Sequence, residues 1–421
     1  MSAQTSSFGR ILPIRLPLPD ESKSLNRACP LKPGLGEGKK KSRGGGIAGI
    51  MASMKEQGPP LFPRRRTVQI RIGNVAVGGG SPVSVQSMTK TDTRDVRATA
   101  AEIRRLAREG CEIVRLAIPD AEAARAFARL RKASPVPLIA DIHFDHRLAV
   151  ACLEAGADGL RLNPGTIGTR DKVREVVRAA KERSVPIRIG VNAGSIEKDL
   201  RSARGGTTAK AMAESALRHI RILEDLDFRL IKVSLKASDL TRTLQAYRLL
   251  AERTDYPFHA GITEAGTLLP GAVKSSAGLA LLLAEGLADT IRVSLTAPAV
   301  EEVRVAYRIL AAMGLRARGL DIISCPTCGR CEVDLASIVR QIHRRLAGVP
   351  EPLTVAVMGC AVNGPGEARE ADAGVACGRG SGALFIKGEI LRRVPEKEIA
   401  DALVREVVRI AAGRKDGDER R

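Results

Sequence analysis

The chain has 421 residues, 44% hydrophobic, 27% charged and 2% aromatic, with a formal net charge of +21. That length exceeds one ordinary domain and suits a barrel with a smaller companion. The longest apolar run, around residues 278–283, is broken by Glu285 and is too short to cross a bilayer, so the chain reads as soluble and cytoplasmic with no membrane partner.

Residues 1–62 read as a disordered or non-native basic arm. Thirteen Lys and Arg fall in residues 1–66 against four Asp and Glu, and nothing periodic is available to bury. Pro13, Pro17 and Pro19 break any secretory apolar stretch, and Met51 and Met54 stand just before the ordered sequence as alternative starts. The charge raises the question of nucleic acid. Binding to single strands wants aromatic stacking platforms, and a chain with no Trp and three Tyr offers few.

From about Pro63, short β-branched runs alternate with amphipathic stretches of helical length. The strand candidates are 83–88, 113–118, 137–142, 159–164, 186–192, 230–237, 257–263 and 290–295. Eight strand–helix units between 63 and 316 match the size of a TIM barrel, an α/β fold. A doubly wound sheet is the rival, but no glycine fingerprint follows the first strand.

Polar residues recur inside these strands. Alternation places Arg161 with Asn163, Arg188 with Asn192, Lys232 with Ser234 and Lys236, and Arg292 with Ser294 on shared faces. Arg115 and the Asp141/His143 pair hold comparable late positions. A closed barrel has no edges, and its outer face is covered by helices, so these charges belong inside, at the C-terminal mouth. Converging guanidinium and ammonium groups with few carboxylates call for an anionic guest, and their number suits two phosphoryl groups. Glu264, in the "GITEAG" turn, reads either as a proton donor or acceptor or as half of a salt bridge.

The character changes at 317–421, a small α+β segment. Cys325, Cys328 and Cys331 follow C-x2-C-x2-C spacing, with Cys360 and Cys377 further on. Cys111 and Cys152 sit among apolar residues and read as ordinary buried thiols. Zinc would want a second close pair of ligands, whereas an iron–sulfur cubane accepts a scattered set. Both remain open on spacing. A zinc-ribbon protein binding nucleic acid is therefore the alternative to an enzyme, and a pteroate-synthase-like barrel is a third reading. The C-x3-C-x2-C spacing of radical enzymes is absent.

The motifs "ADIHFD", "RLNPGTIG", "IRIGVNAGSIEKDL", "KVSLKASD", "GITEAG", "GAVKSS", "DTIRVSLTA", "CPTCGR" and "GCAVNGPGEA" run in order from about residue 64 to 390. Together they resemble the two-domain bacterial 4-hydroxy-3-methylbut-2-enyl diphosphate synthases. The resemblance implies a TIM barrel followed by a [4Fe–4S] domain. It also implies reductive ring opening and dehydroxylation of 2-C-methyl-D-erythritol 2,4-cyclodiphosphate for isoprenoid synthesis, with electrons from ferredoxin or flavodoxin. By resemblance the cluster ligands are Cys325, Cys328, Cys360 and Glu367, and Asn363 faces substrate. The diphosphate falls to Arg115, Arg161, Arg188, Asn192, Lys232, Arg292 and Ser294, and Glu264 is the acid–base residue. Lys274 is similarly placed. Cys331 departs from the family, which commonly has another residue there.

An oxygen ligand on one iron is more readily displaced than thiolate, leaving that iron free to bind a substrate oxygen. The eighth barrel helix ends on the face opposite the mouth. From Gly314 to Cys325 the chain reaches at most roughly 37 Å. A cluster hung there suits the mouth of a second subunit, in a head-to-tail homodimer.

Overall fold

The computed structural model describes residues 62–203, 206–360, 362 and 364–418. The basic arm expected over 1–62 lies outside the described residues except for its last one.

The first elements among the described residues are a short hairpin, β1 (Ile70–Ile72) and β2 (Val75–Val77), absent from the sequence reading. Then come β3 (Ser84–Met88), α1 (Val96–Arg108), β4 (Ile113–Ala117), α2 (Ala121–Ala133), β5 (Leu138–Asp141), α3 (His146–Glu154) and β6 (Gly159–Leu162). The second half adds α4 (Pro164–Ile167), α5 (Arg170–Glu182), β7 (Ile187–Asn192), α6 (Lys198–Ala203), α7 (Ala209–Glu224) and β8 (Ile231–Lys236). It closes with α8 (Leu240–Ala251), β9 (His259–Ala260), α9 (Leu268–Ala284), β10 (Thr290–Ile291) and α10 (Ala299–Ala312).

Strands β3 to β10 pair in parallel in the order β8-β7-β6-β5-β4-β3-β10-β9, giving the eight-stranded barrel the sequence reading expected. All eight strand candidates are present. The last two are short, two residues each, because the chain leaves the ladder soon after His259 and Thr290 to build the mouth. Closure between β8 and β9 rests on one parallel bridge, Val233 to Phe258. Tyr247 of α8 reinforces it: its hydroxyl accepts from the Leu235 N–H at 3.0 Å and donates to the His259 carbonyl at 2.6 Å. A side chain thus takes the place of missing ladder bonds.

The helices start where the strands end. Asp95, Asp120, Asp145 and Asp239 each accept a backbone N–H in the first turn of α1, α2, α3 and α8, fixing the βα loops at the mouth. The apolar helix faces pack outside the barrel, as Ile103 and Leu106 of α1 and Phe127 and Leu130 of α2 show. At the other end the hairpin is a floor: Ile70, Ile72 and Val77 meet Ile113 and Ile139 from inside the barrel.

Beyond α10, β11 (Leu320–Ser324), α11 (Leu335–Leu346), β12 (Leu353–Met358), α12 (Gly364–Glu370), β13 (Ala373–Gly378), β14 (Ser381–Ile386), β15 (Glu389–Pro395) and α13 (Ile399–Asp418) form a second layer system. The first three strands are parallel and the last two antiparallel. Leu335, Ile342, Leu403 and Val407 of α11 and α13 cover Val355, Val375 and Leu384 on one face. Met358, Ala376 and Phe385 lie on the other, with Gly364 of α12 pressed against Met358 and Ala376.

The connection between the two parts is pinned. Arg316 donates to the Val83 carbonyl and to Glu112, and Arg318 donates to the carbonyls of Glu109 and Arg108. Val83 and Glu112 precede β3 and β4, so the chain leaves the barrel at its N-terminal face, opposite the mouth.

Candidate active site

Strand register sets the site. Asp141, Arg161, Arg188 and Lys232 are successive ladder partners across β5 to β8, so their side chains share the inward face of the barrel. Arg115 stands beside Ile139 on β4. All five are buried, in a position where barrels ordinarily hold Val, Ile and Leu. Gly190 makes room for one of them, since a Cβ there would come 2.9 Å from Arg161 Nε. The Asn163 side chain accepts the Gly190 N–H at 3.0 Å and ties β6 to β7 below the mouth.

Only Asp141 balances these charges at short range among the described residues. Its oxygens lie 3.4 Å from Arg115 Nε and 3.2 Å from Arg161 Nη1. Arg161 also lies 3.1 Å from His143, and Arg115 reaches the Met88 sulfur. Burial disfavours the Asp141 carboxylate, yet Arg115, Arg161 and Arg188 outweigh it and hold its pKa below the usual range. Burial brings Arg115 down to about 10, against the pull of Asp141.

Arg188 is the most exposed to this imbalance. Its Nε and Nη2 have no hydrogen-bond partner among the described residues, and burial plus the neighbouring arginines drives its pKa well down. Lys236, two turns of the pleat above Lys232 and paired with Asn192 at the rim, shows the same depression from burial and the surrounding arginines. Lys232 lies deeper, 3.4 Å from Thr290 Oγ1, with the His259 ring, which has no hydrogen-bond partner among the described residues, in the same interior. Leaving buried donors unpaired costs several kcal/mol in total. An anion supplied from outside removes that cost.

Arg292 completes the ring: its Nη2 lies 4.0 Å from Glu302, its Nε has no hydrogen-bond partner among the described residues, and Ser294 is half-buried two residues on. Asn192 is half-buried at the rim. Glu264 is exposed, in a left-handed conformation with φ of 55°, and forms no ion pair among the described residues. Such a backbone is uncommon for a residue with a side chain and concentrates at working loops. Lys274 is half-buried on α9.

Some supporting residues gave no sequence signal. Glu302, buried on α10, accepts from Ser87 Oγ and the Leu295 N–H and pairs with Lys90 at 3.1 Å. Glu102 on α1 accepts the N–H groups of Lys90 and Thr91. His219 on α7 meets Glu197 at 2.9 Å, and that carboxylate is held at about 2, burial being outweighed by His219 and Ser215. These outer acids and histidine fix the loops that aim the ring. Lys236 was legible by its alternation with Lys232, although it stood outside the resemblance set.

In the second part, Cys325 follows β11 directly and Cys360 stands two residues beyond β12, its parallel neighbour. Cys328 is exposed, and Cys325, Cys331 and Cys360 are half-buried. The Gly359 N–H donates to Cys325 Sγ at 3.3 Å. Asn363 and the side chain of Glu367 lie outside the described residues; the Glu367 backbone belongs to α12. Among the described residues no three metal-ligating side chains converge. Even so, the donor types fit an iron–sulfur cluster: the thiols of Cys325 and Cys360 follow the ends of neighbouring parallel strands, a backbone N–H donates to Cys325 Sγ, and Met358 and Phe385 pack as an apolar lining against Cys325. Cys111 and Cys152 are indeed buried thiols, pushed up to about 12 by burial.

Family models bear on both parts. One described as the GcpE TIM-barrel domain matches residues 67–307, and one described as the GcpE protein C-terminal domain matches 321–409. The chain belongs to the GcpE family. A relative in Geobacter sulfurreducens, named 4-hydroxy-3-methylbut-2-en-1-yl diphosphate synthase (flavodoxin), is 60% identical over 349 residues, 83% of this chain and 99% of its own. Proteins of the same name in Maridesulfovibrio salexigens and Thermodesulfovibrio yellowstonii are 58% and 56% identical, covering 80% and 82% of this chain and 94% and 99% of their own. The GcpE-family chain is thus an oxidoreductase of isoprenoid synthesis, as the motifs implied. The zinc-ribbon alternative finds no support.

Proposed function

We propose that the barrel, residues 63–316, binds 2-C-methyl-D-erythritol 2,4-cyclodiphosphate in its mouth and that the chain converts it to 4-hydroxy-3-methylbut-2-enyl diphosphate. The observation that carries this reading is the set of buried cations Arg115, Arg161, Arg188, Lys232 and Lys236 inside the barrel, of which Asp141, alone among the described residues, pairs two at short range. Two linked phosphoryl groups supply the acceptor oxygens those donors lack. Arg292, Ser294 and Asn192 close the rim around the same guest.

In the reaction the bond from carbon to a ring phosphate oxygen breaks, a hydroxyl is lost, and a carbon–carbon double bond forms. Two electrons enter, and the hydroxyl leaves as water after taking a proton. Glu264 stands at the mouth, on a loop, where it can deliver or accept that proton. The cation ring holds the released diphosphate charge in place.

A [4Fe–4S] cluster in residues 317–421, held by Cys325, Cys328, Cys360 and Glu367, would supply the electrons singly. Asn363 faces the substrate in this reading. Flavodoxin, named in the relatives, is the electron donor. Because the chain leaves the barrel at the face opposite the mouth, the cluster serves the barrel of a second copy in a head-to-tail dimer.

The test is an anaerobic assay of the purified protein with the cyclodiphosphate and reduced flavodoxin, following product by mass. Turnover supports the reading; protein that carries iron and sulfide yet leaves the cyclodiphosphate intact refutes it. Mixing a Cys328→Ser chain with an Arg188→Met chain should restore part of the activity through mixed dimers. Absence of any recovery would place cluster and mouth in one subunit.

A further inference from the structure

Cys331 is a thiol that the ligand set leaves unused. Its N–H donates to the Cys328 carbonyl at 2.9 Å, a turn that brings Cys331 back toward Gly359. A Cβ on Gly359 would lie 2.4 Å from Cys331 Sγ and 3.3 Å from Cys325 Sγ. The two sulfurs therefore approach the same point, the space that a side chain at position 359 would fill. Both are half-buried against the sheet core, whereas Cys328 is exposed. Among the described residues, Cys331 Sγ also meets the Val333 carbonyl at 3.3 Å, a weak contact for a thiol. Cys377 is buried in that core, out of reach of soluble oxidants, and burial pushes its thiol up to about 12.

We infer that Cys331 is a resolving thiol for Cys325. When iron leaves, the two cysteines close a disulfide that keeps Cys325 from irreversible oxidation and returns it as a ligand on reduction. This rests on Cys325 being a cluster ligand. The oxidant is a low-molecular-weight disulfide. One cysteine sulfur attacks it, forms a mixed disulfide and releases one small thiol; the other cysteine then displaces the second. One sulfur–sulfur bond breaks as another forms. Two electrons pass from the cysteine pair to the oxidant, and the two cysteine protons leave on the released thiols. Without Cys331 the mixed disulfide, or the sulfenic acid formed by peroxide, has no neighbour to resolve it and can proceed up the oxidation ladder.

The sequence provides a clean assay. Trypsin cuts after Arg330, separating residues 319–330, with Cys325 and Cys328, from residues 331–340, with Cys331. Holoenzyme, its iron and sulfide measured first, is stripped anaerobically with a chelator, exposed to oxidised glutathione, alkylated and digested. The expected result is a cross-link between the two peptides, with fragmentation placing the bond on Cys325. After dithiothreitol the protein should regain its iron content, and Cys331→Ser should regain several-fold less after the same exposure. A disulfide closed inside 319–330, a cross-link to the Cys377 peptide at 370–379, or Cys331 recovered alkylated overturns the inference. Protein lacking iron and sulfide at the outset would instead refute the cluster reading, before any oxidant is added.

Discussion

Asp141 Oδ2 lies 3.4 Å from Arg115 Nε while its Oδ1 lies 3.2 Å from Arg161 Nη1, so one carboxylate holds two buried arginines in the barrel mouth. Removing it strands both. Asp141→Asn should lower unfolding free energy by about 3–5 kcal/mol, the usual effect of breaking a buried ion pair from one side. Urea titration of the variant against the parent checks this, and equal midpoints would show that the arginines do not depend on Asp141.

The same carboxylate sets an acid limit. Its folded pKa is depressed, so the unfolded chain binds its proton more tightly. Its contribution is complete above the unfolded value of about 3.9 and fades as pH falls through the folded value below it. Stability measured from about pH 5 down to about pH 2 should drop more steeply in the parent than in Asp141→Asn. Parallel curves would assign the acid sensitivity to other groups.

Arg188 offers the opposite signature. It is buried among like charges, with two nitrogens that have no partner among the described residues. Arg188→Met should raise unfolding free energy by about 1 kcal/mol, as function-bound strain is relieved. It should also weaken substrate binding by roughly 10- to 100-fold, the worth of one charge-assisted hydrogen bond set. Denaturation and equilibrium binding on one preparation test both halves. A variant that loses stability and keeps affinity would make Arg188 structural.

Tyr247 reports on the barrel seam. Its hydroxyl bridges Leu235 and His259 where β8 and β9 share a single bridge. Tyr247→Phe should cost about 2 kcal/mol, one for each buried hydrogen bond lost. Amide exchange at Leu235 should quicken accordingly, and unchanged protection there would mean the seam closes without it.

Glu264 tests the proton step. Glu264→Gln keeps size and polarity but cannot transfer a proton, so turnover should fall roughly 100- to 10,000-fold with substrate affinity within a few-fold of the parent. A loss confined to affinity would instead make Glu264 a binding residue.

Much of this was legible in the sequence for a physical reason. Strands β3 to β8 are β-branched runs whose inward polar residues alternate, so Arg161, Arg188 and Lys232 announced both strand and facing direction. Strands β9 and β10 were legible as strands but not in length, because hydrogen bonding stops where the mouth loops begin. The floor hairpin at Ile70–Ile72 and Val75–Val77 is too short for any period to register. Glu102, Glu302, His219 and Tyr247 lie on outer helices, where a lone polar residue on the inward side reads as noise in an amphipathic pattern. Lys236 was visible by alternation, yet its place at the rim and the depth of Lys232 emerged only from register. At the cysteine end, spacing announced a metal centre, but Gly359, whose missing side chain lets Cys325 and Cys331 converge, gave no sign.

The central claim is that the buried cation ring exists to hold a doubly phosphorylated ring substrate. Anaerobic calorimetric titration of the holoprotein with 2-C-methyl-D-erythritol 2,4-cyclodiphosphate tests it most directly, with Arg188→Met alongside. Saturable binding at one site per chain, weakened at least tenfold in the variant, is the predicted result. Equal affinity in both proteins, or no heat from either while iron and sulfide are present, would contradict it.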